Sequence, residues 1–191
     1  MGLIEAPSLF VRRRISVDEY YRMAEIGLLR PTERVELIRG EIINMAPIGT
    51  RHAGTVNHLN RLLSKAVGAG AILSVQNPLW ADGESEPEPD LMVLKPRADS
   101  YRDAHPRPGD VLLLVEVSDT SARYDREIKL PLYASIGIPE VWIVDLDSRL
   151  FRRHREPVGD EYVRIDATAA PGVCAIGAMP GVDVDLTGVL G

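Results

Sequence analysis

The run VLLLVEVSDT, residues 111–120, sets a carboxylate, Glu116, inside one of the most apolar stretches of the chain. Val and Leu without an interrupting proline, bounded by polar segments, predict a strand covered on both faces, as in the middle of an α/β sheet. An ionised carboxylate buried there without a partner is so unfavourable that it normally shifts its pKa or finds a cation. Glu116 therefore requires a salt bridge, a hydrogen-bond network or a metal, and its partner is to be sought elsewhere in the chain.

Working outward, SDTSARYDREIKLPLYASIG starts polar and turns helical, with Pro131 as an expected kink or early-turn residue. PEVWIVDLDSRLFRRHR then reads as a strand, a tight turn at Asp147 and Ser148, and a returning strand. Before the central run, DLMVL predicts a short strand opening at Asp90, and AILSVQNPLW predicts another, joined to it by the acidic, turn-rich ADGESEPEP. The polar KPRADSYRDAHPRPGD reads as a surface excursion. Val56, Leu59, Leu62, Leu63 and Ala66 keep the helical period from Thr50 until Gly68 and Gly70 close the element, so this helix should pack on the sheet. ERVELIRGEIINMAP predicts two short strands around a turn at Arg39 and Gly40, and SVDE at 16–19 has capping-box spacing for a first helix ending near Gly27. The tail GVDVDLTGVLG reads as a weak strand or loop. The order predicts a mixed α/β domain with an N-terminal helix and β-hairpin.

With 191 residues and 45% hydrophobic content the chain has enough apolar material for a sizeable core, and residues 1–191 are read as a single whole domain. The single cysteine, Cys174, excludes an intramolecular disulfide and a Cys-rich zinc site. No stretch has the layout of a signal peptide and none approaches the length of a membrane span, so a cytoplasmic protein is expected. A net charge of −6 argues against coating nucleic acid by bulk electrostatics. Two local basic runs, Arg12–Arg14 and RLFRRHR at 149–155, are expected to be solvated faces.

Asp90 lies where a loop meets the sheet, and strand ends host sites. If its strand neighbours that of Glu116, the two carboxylates face one another and need a cation between them. Magnesium fits, because it takes one or two carboxylates and fills its remaining positions with water and phosphate oxygens. Ser121, Asp125 and Lys129 recur every four residues, on one face of a helix. A lysine there can balance charge developing on a phosphate in phosphodiester hydrolysis.

EPD at 88–90, VEVSDTS at 115–121, Asp125, Lys129, Tyr133 and GIPEVWIVD at 137–145, with VELIRGEIINMAP and His52, together resemble the Uma-two family, a branch of the PD-(D/E)xK superfamily with a restriction-endonuclease-like fold. The resemblance covers residues 14–186. It implies a mixed β-sheet flanked by helices and a magnesium-dependent endonuclease acting on DNA, with manganese as a substitute ion. It also implies Asp90 and Glu116 as metal ligands, Glu36 as an additional acid, and His52 as a residue able to reach the site. Position 118, where the superfamily carries lysine, is Ser118, and Lys129 on the following helix is the matching lysine. Related folds commonly dimerise, so a homodimer is implied as well.

Other readings stay open at this point. Glu116 and Lys129 form a salt bridge without metal, in a nuclease fold used only as a nucleic-acid or protein binding module. Asp90 is equally an ordinary turn residue, Glu36 the outward residue of an alternating strand, and His52 a helix cap. Asp125 positions Lys129, Tyr133 and Trp142 belong to the core, and Asp82, Glu84, Glu86 and Glu88 face solvent. The catalytic reading requires the Lys129 ammonium close to both carboxylates, in a cleft lined by arginines.

Overall fold

The computed structural model describes residues 12–119 and 121–191. Helix α1 (Val17–Glu25) starts on the expected capping box: Ser16 Oγ accepts from the Glu19 amide, and the Glu19 carboxylate accepts from the Ser16 amide. Strands β1 (Val35–Ile38) and β2 (Glu41–Asn44) form a hairpin closed by Arg39 and Gly40, both at positive φ, as a two-residue turn matching strand twist demands. Helix α2 (Thr50–Val67) buries Val56, Leu59, Leu63 and Val67 at the predicted spacing.

The main sheet has six strands in the order β3 (Ile72–Val75), β4 (Leu91–Leu94), β5 (Val111–Ser118), β6 (Glu140–Asp145), β7 (Leu150–Val158) and β8 (Glu161–Thr168). Only β5 and β6 run parallel. A parallel pair needs a crossover, and helices α3 (Ala122–Tyr124) and α4 (Leu130–Ser135) lie in it. The first eight residues of the run, VLLLVEVS, thus become a central strand with an apolar cluster on each side. One contains α2 side chains, Val115, Val117 and Trp142, and the other contains Leu114, Tyr133 and Ile143. The tail read at 181–191 supplies β10 (Asp183–Asp185), which pairs with β9 (Val173–Ala175), a strand that reading did not include, and Val184 joins the α2 cluster.

The sequence reading stops at Arg155 and misses β8, although Tyr162, Val163 and Ile165 are strand-forming residues behind a Gly-Asp turn. The basic runs are not free positive surface. Arg12, Arg13 and Arg14 pair with Glu41, Glu19 and Glu84, and Arg152, Arg153 and Arg155 with Asp145, Glu140 and Asp166. The acidic loop is not wholly solvated either: Glu86 is buried, its amide bonded to Leu37 O at 2.7 Å, and Glu88 is half-buried. No helix among the described residues is long and apolar enough to cross a membrane.

Candidate active site

Strands β4 and β5 pair with Leu91 opposite Val115, which puts Asp90 and Glu116 across from one another at the end of the ladder. Each carboxylate accepts a backbone amide from the facing segment. The Asp90 amide donates to Glu116 Oε2 at 3.3 Å, and the Val117 amide donates to Asp90 Oδ2 at 2.9 Å. Two further side chains fix Asp90. His52, in the first turn of α2, has Nε2 3.0 Å from Oδ2, and Gln76 Nε2 donates to Oδ1 at 3.2 Å. Gln76 follows β3 in the left-handed region, with φ of 49°, and its amide bonds to the Asp90 carbonyl at 3.0 Å. A non-glycine residue held there stores strain, a feature concentrated at functional sites.

On the other side of Glu116 stands Lys129. Its ammonium lies 2.8 Å from Glu116 Oε1 and 3.3 Å from Glu36 Oε2. Glu36 is not the outward residue of an alternating strand: all four residues of β1 are buried, because the 84–88 segment runs along the hairpin and lays the Glu88 amide on Glu36 Oε2 at 3.0 Å. Tyr124 donates to Glu36 Oε1 at 3.1 Å, and Tyr133 to Glu116 Oε1 at 2.6 Å.

The helix carrying Lys129 departs from the four-residue spacing of an α-helix. Between α3 and α4, residues Asp125–Lys129 form a π turn in which the Leu130 amide reaches back five residues to Asp125 O. Pro131 explains it: the residue has no N–H for a helical bond to Glu127, and its ring would press on that carbonyl, so the backbone widens before it. Asp125 and Lys129 both end up buried. Asp125 accepts from Ser118 Oγ at 2.8 Å and Ser121 Oγ at 2.7 Å, so Ser118 holds an acid where the superfamily has a lysine.

Charge in this cluster is unbalanced. Burial pushes the Glu116 carboxyl up against the pull of Lys129, and the neighbouring carboxylates of Asp125 and Asp90 push in the same direction. Burial likewise raises Asp125. Burial works against the Lys129 ammonium, but Glu116 foremost, with Tyr133, Glu36 and Asp125, holds it well above its ordinary value. The bond to Asp90 raises His52 against the effect of burial. Around these groups opens a pocket of about 380 Å³, whose lining includes Glu36, Glu88, Asp90, Glu116 and Lys129 together with the apolar Ile43, Met45, Pro47 and Ile48. Arg34 is its only arginine among the described residues, so the arginine-lined cleft is not found.

The donor set suits a hard divalent ion. Asp90 and Glu116 supply oxygen ligands, and excess negative charge surrounds them. The described residues contain no cluster of three or more His, Cys, Asp or Glu arranged as a metal cage. Two carboxylates suffice for magnesium, which keeps most of its water.

With this geometry in view, the Uma2 family, described as "Putative restriction endonuclease", matches residues 17–186. The chain belongs to the Uma2 family. "Uncharacterized protein sll1609" of Synechocystis sp. is 29% identical over 151 residues, covering 76% of this chain and 82% of that protein. The crystal structure of a "putative nuclease" from Anabaena variabilis superposes with a TM-score of 0.64 at 15% identity, over 86% of this chain and 90% of that one. It shares the fold, a restriction-endonuclease-like mixed sheet flanked by helices.

In this Uma2 sequence the candidate residues Glu36, His52, Asp90, Glu116 and Lys129 form one network of hydrogen bonds and ion pairs, and Asp125, held by Ser118, adds its charge near Lys129. Sequence reasoning missed Gln76, Glu88, Tyr124 and the polar role of Tyr133. For Tyr133 a signal existed, since it stands four residues after Lys129 and a buried phenol seeks a partner. Gln76 had none.

Proposed function

We propose that the pocket hydrolyses phosphodiester bonds of DNA with a magnesium ion held by Asp90 and Glu116. The observation that carries this reading is the opposition of these two carboxylates across β4 and β5, with the Lys129 ammonium 2.8 Å from Glu116, at the wall of an open pocket. A magnesium ion there would supply a polarised phosphoryl oxygen and an acidified water. Lys129 stays protonated and has three N–H donors, two of them spent on Glu116 and Glu36, leaving one for a phosphate oxygen. It therefore stabilises charge on the phosphate rather than accepting a proton. Glu36 and Tyr133 fix the position of that ammonium and of Glu116, His52 and Gln76 orient Asp90, and Asp125 adds a further negative charge beside Lys129.

A specific observation favours a second reading, a nuclease fold used as a binding module. Every carboxylate oxygen of Asp90 and Glu116 already has a donor within the protein. Calorimetric titration of magnesium and manganese into the protein and into a variant carrying Asp90→Ala and Glu116→Ala separates the two. Metal binding lost in the variant, followed by magnesium-dependent cleavage of DNA, supports the nuclease. Absence of binding at millimolar metal, with and without DNA, leaves the binding module.

A further inference from the structure

Strand β8 is the last in the six-stranded sheet, and among the described residues nothing pairs with its outer edge. Seven of its eight residues are exposed, including Val163 and Ile165, at 63% and 56%. The opposite edge, β3, is four residues long and half-buried. A long exposed edge strand with aliphatic side chains is a template for another strand, and proteins usually guard such edges with lysine, proline or a bulge. The β8 sequence EYVRIDAT carries no lysine and no proline.

Its charges instead form a self-complementary pattern. If two copies lie antiparallel with Ile165 facing Ile165, each Arg164 stands opposite Asp166 of the second copy, and each Val163 stands opposite Ala167. Centring the pair on Arg164 or on Asp166 places like charges face to face, whereas centring it on Ile165 sets two Arg164–Asp166 pairs opposite one another, which favours that register. Arg164 lies 3.6 Å from Glu156 and Asp166 pairs with Arg155, but both β8 side chains remain more than half exposed and accessible. No pocket-lining residue comes from β7 or β8, so the edge is used without covering the pocket.

We infer that β8 is a self-association surface, pairing antiparallel with β8 of a second copy in the register centred on Ile165, so that the sheet continues across both molecules. This holds or fails independently of the chemistry in the pocket. The contact is one strand wide, small beside the interfaces of tight dimers, so a weak, concentration-dependent dimer is expected.

Sedimentation velocity of the full chain across the micromolar range tests it, with Ile165→Lys, Arg164→Asp, Asp166→Arg and the double variant R164D/D166R, each checked for wild-type melting behaviour. The expected result is a wild-type dimer, monomers for the three single variants at the same concentrations, and a dimer again for the charge-swapped double variant. A wild type that stays monomeric at the highest concentration overturns the proposal. So does an undiminished dimer in Ile165→Lys, or a double variant that folds normally and remains monomeric.

Discussion

The ammonium of Lys129 sits 2.8 Å from Glu116 Oε1, and both side chains are 5% exposed. Such a buried pair contributes little net stability, because desolvation of both ions offsets their attraction, but breaking it strands a charge. Lys129→Met should therefore cost about 3–5 kcal/mol in urea denaturation. Adding Glu116→Gln should return part of that loss, since one of the two stranded carboxylates is gone. A Lys129→Met variant as stable as the wild type would sink this account of the site.

Gln76 touches Asp90 twice, through its amide and through its side chain. Partners that orient a metal ligand are typically worth 10–100-fold in metal affinity. If Asp90 holds magnesium as proposed, Gln76→Ala weakens that binding by about tenfold, and Gln76→Gly matches the loss while relieving the backbone strain. Calorimetry beside thermal melting reads both quantities. Wild-type metal affinity in Gln76→Ala would remove Gln76 from the site.

His154 lies 4% exposed on β7, its ring edge-on to Tyr162, with neither nitrogen bonded among the described residues. Burial, assisted by the Arg152 charge, pushes its pKa down to about 4. The unfolded chain therefore takes up a proton near pH 6.5, before the folded chain does. The neutral ring's contribution is fully present above that pH and is lost as pH falls toward about 4, by up to about 3 kcal/mol. His154→Phe should flatten the fall in melting temperature between neutral pH and pH 4. An unchanged acid slope would show that His154 titrates normally in the fold.

The sheet and its flanking helices are legible because their signals are local. Alternation, apolar runs, the capping box and the Arg39-Gly40 turn each act within a few residues, and β1 through β7 follow from them. The pairing of Asp90 with Glu116 is legible because a carboxylate in an apolar run demands a partner. What Gln76 does is not legible, because its role comes from register: β3 pairs with β4 so that the chain beyond Val75 turns onto Asp90, and no local pattern encodes that. Glu86 and Glu88 mislead for the same reason. Their loop looks solvated in composition, and only its course along the β1–β2 hairpin buries it.

The π turn at Asp125–Lys129 means that this stretch holds one residue more than an α-helix would need to join the same two ends. Elsewhere in a helix, deleting a residue turns everything beyond it by about 100°. Here the loss of Ile128, whose side chain is exposed, would remove that extra residue and bring the Pro131 ring back against a helical carbonyl, so the spare residue is what lets the helix pass its proline while Tyr133 beyond it still reaches Glu116.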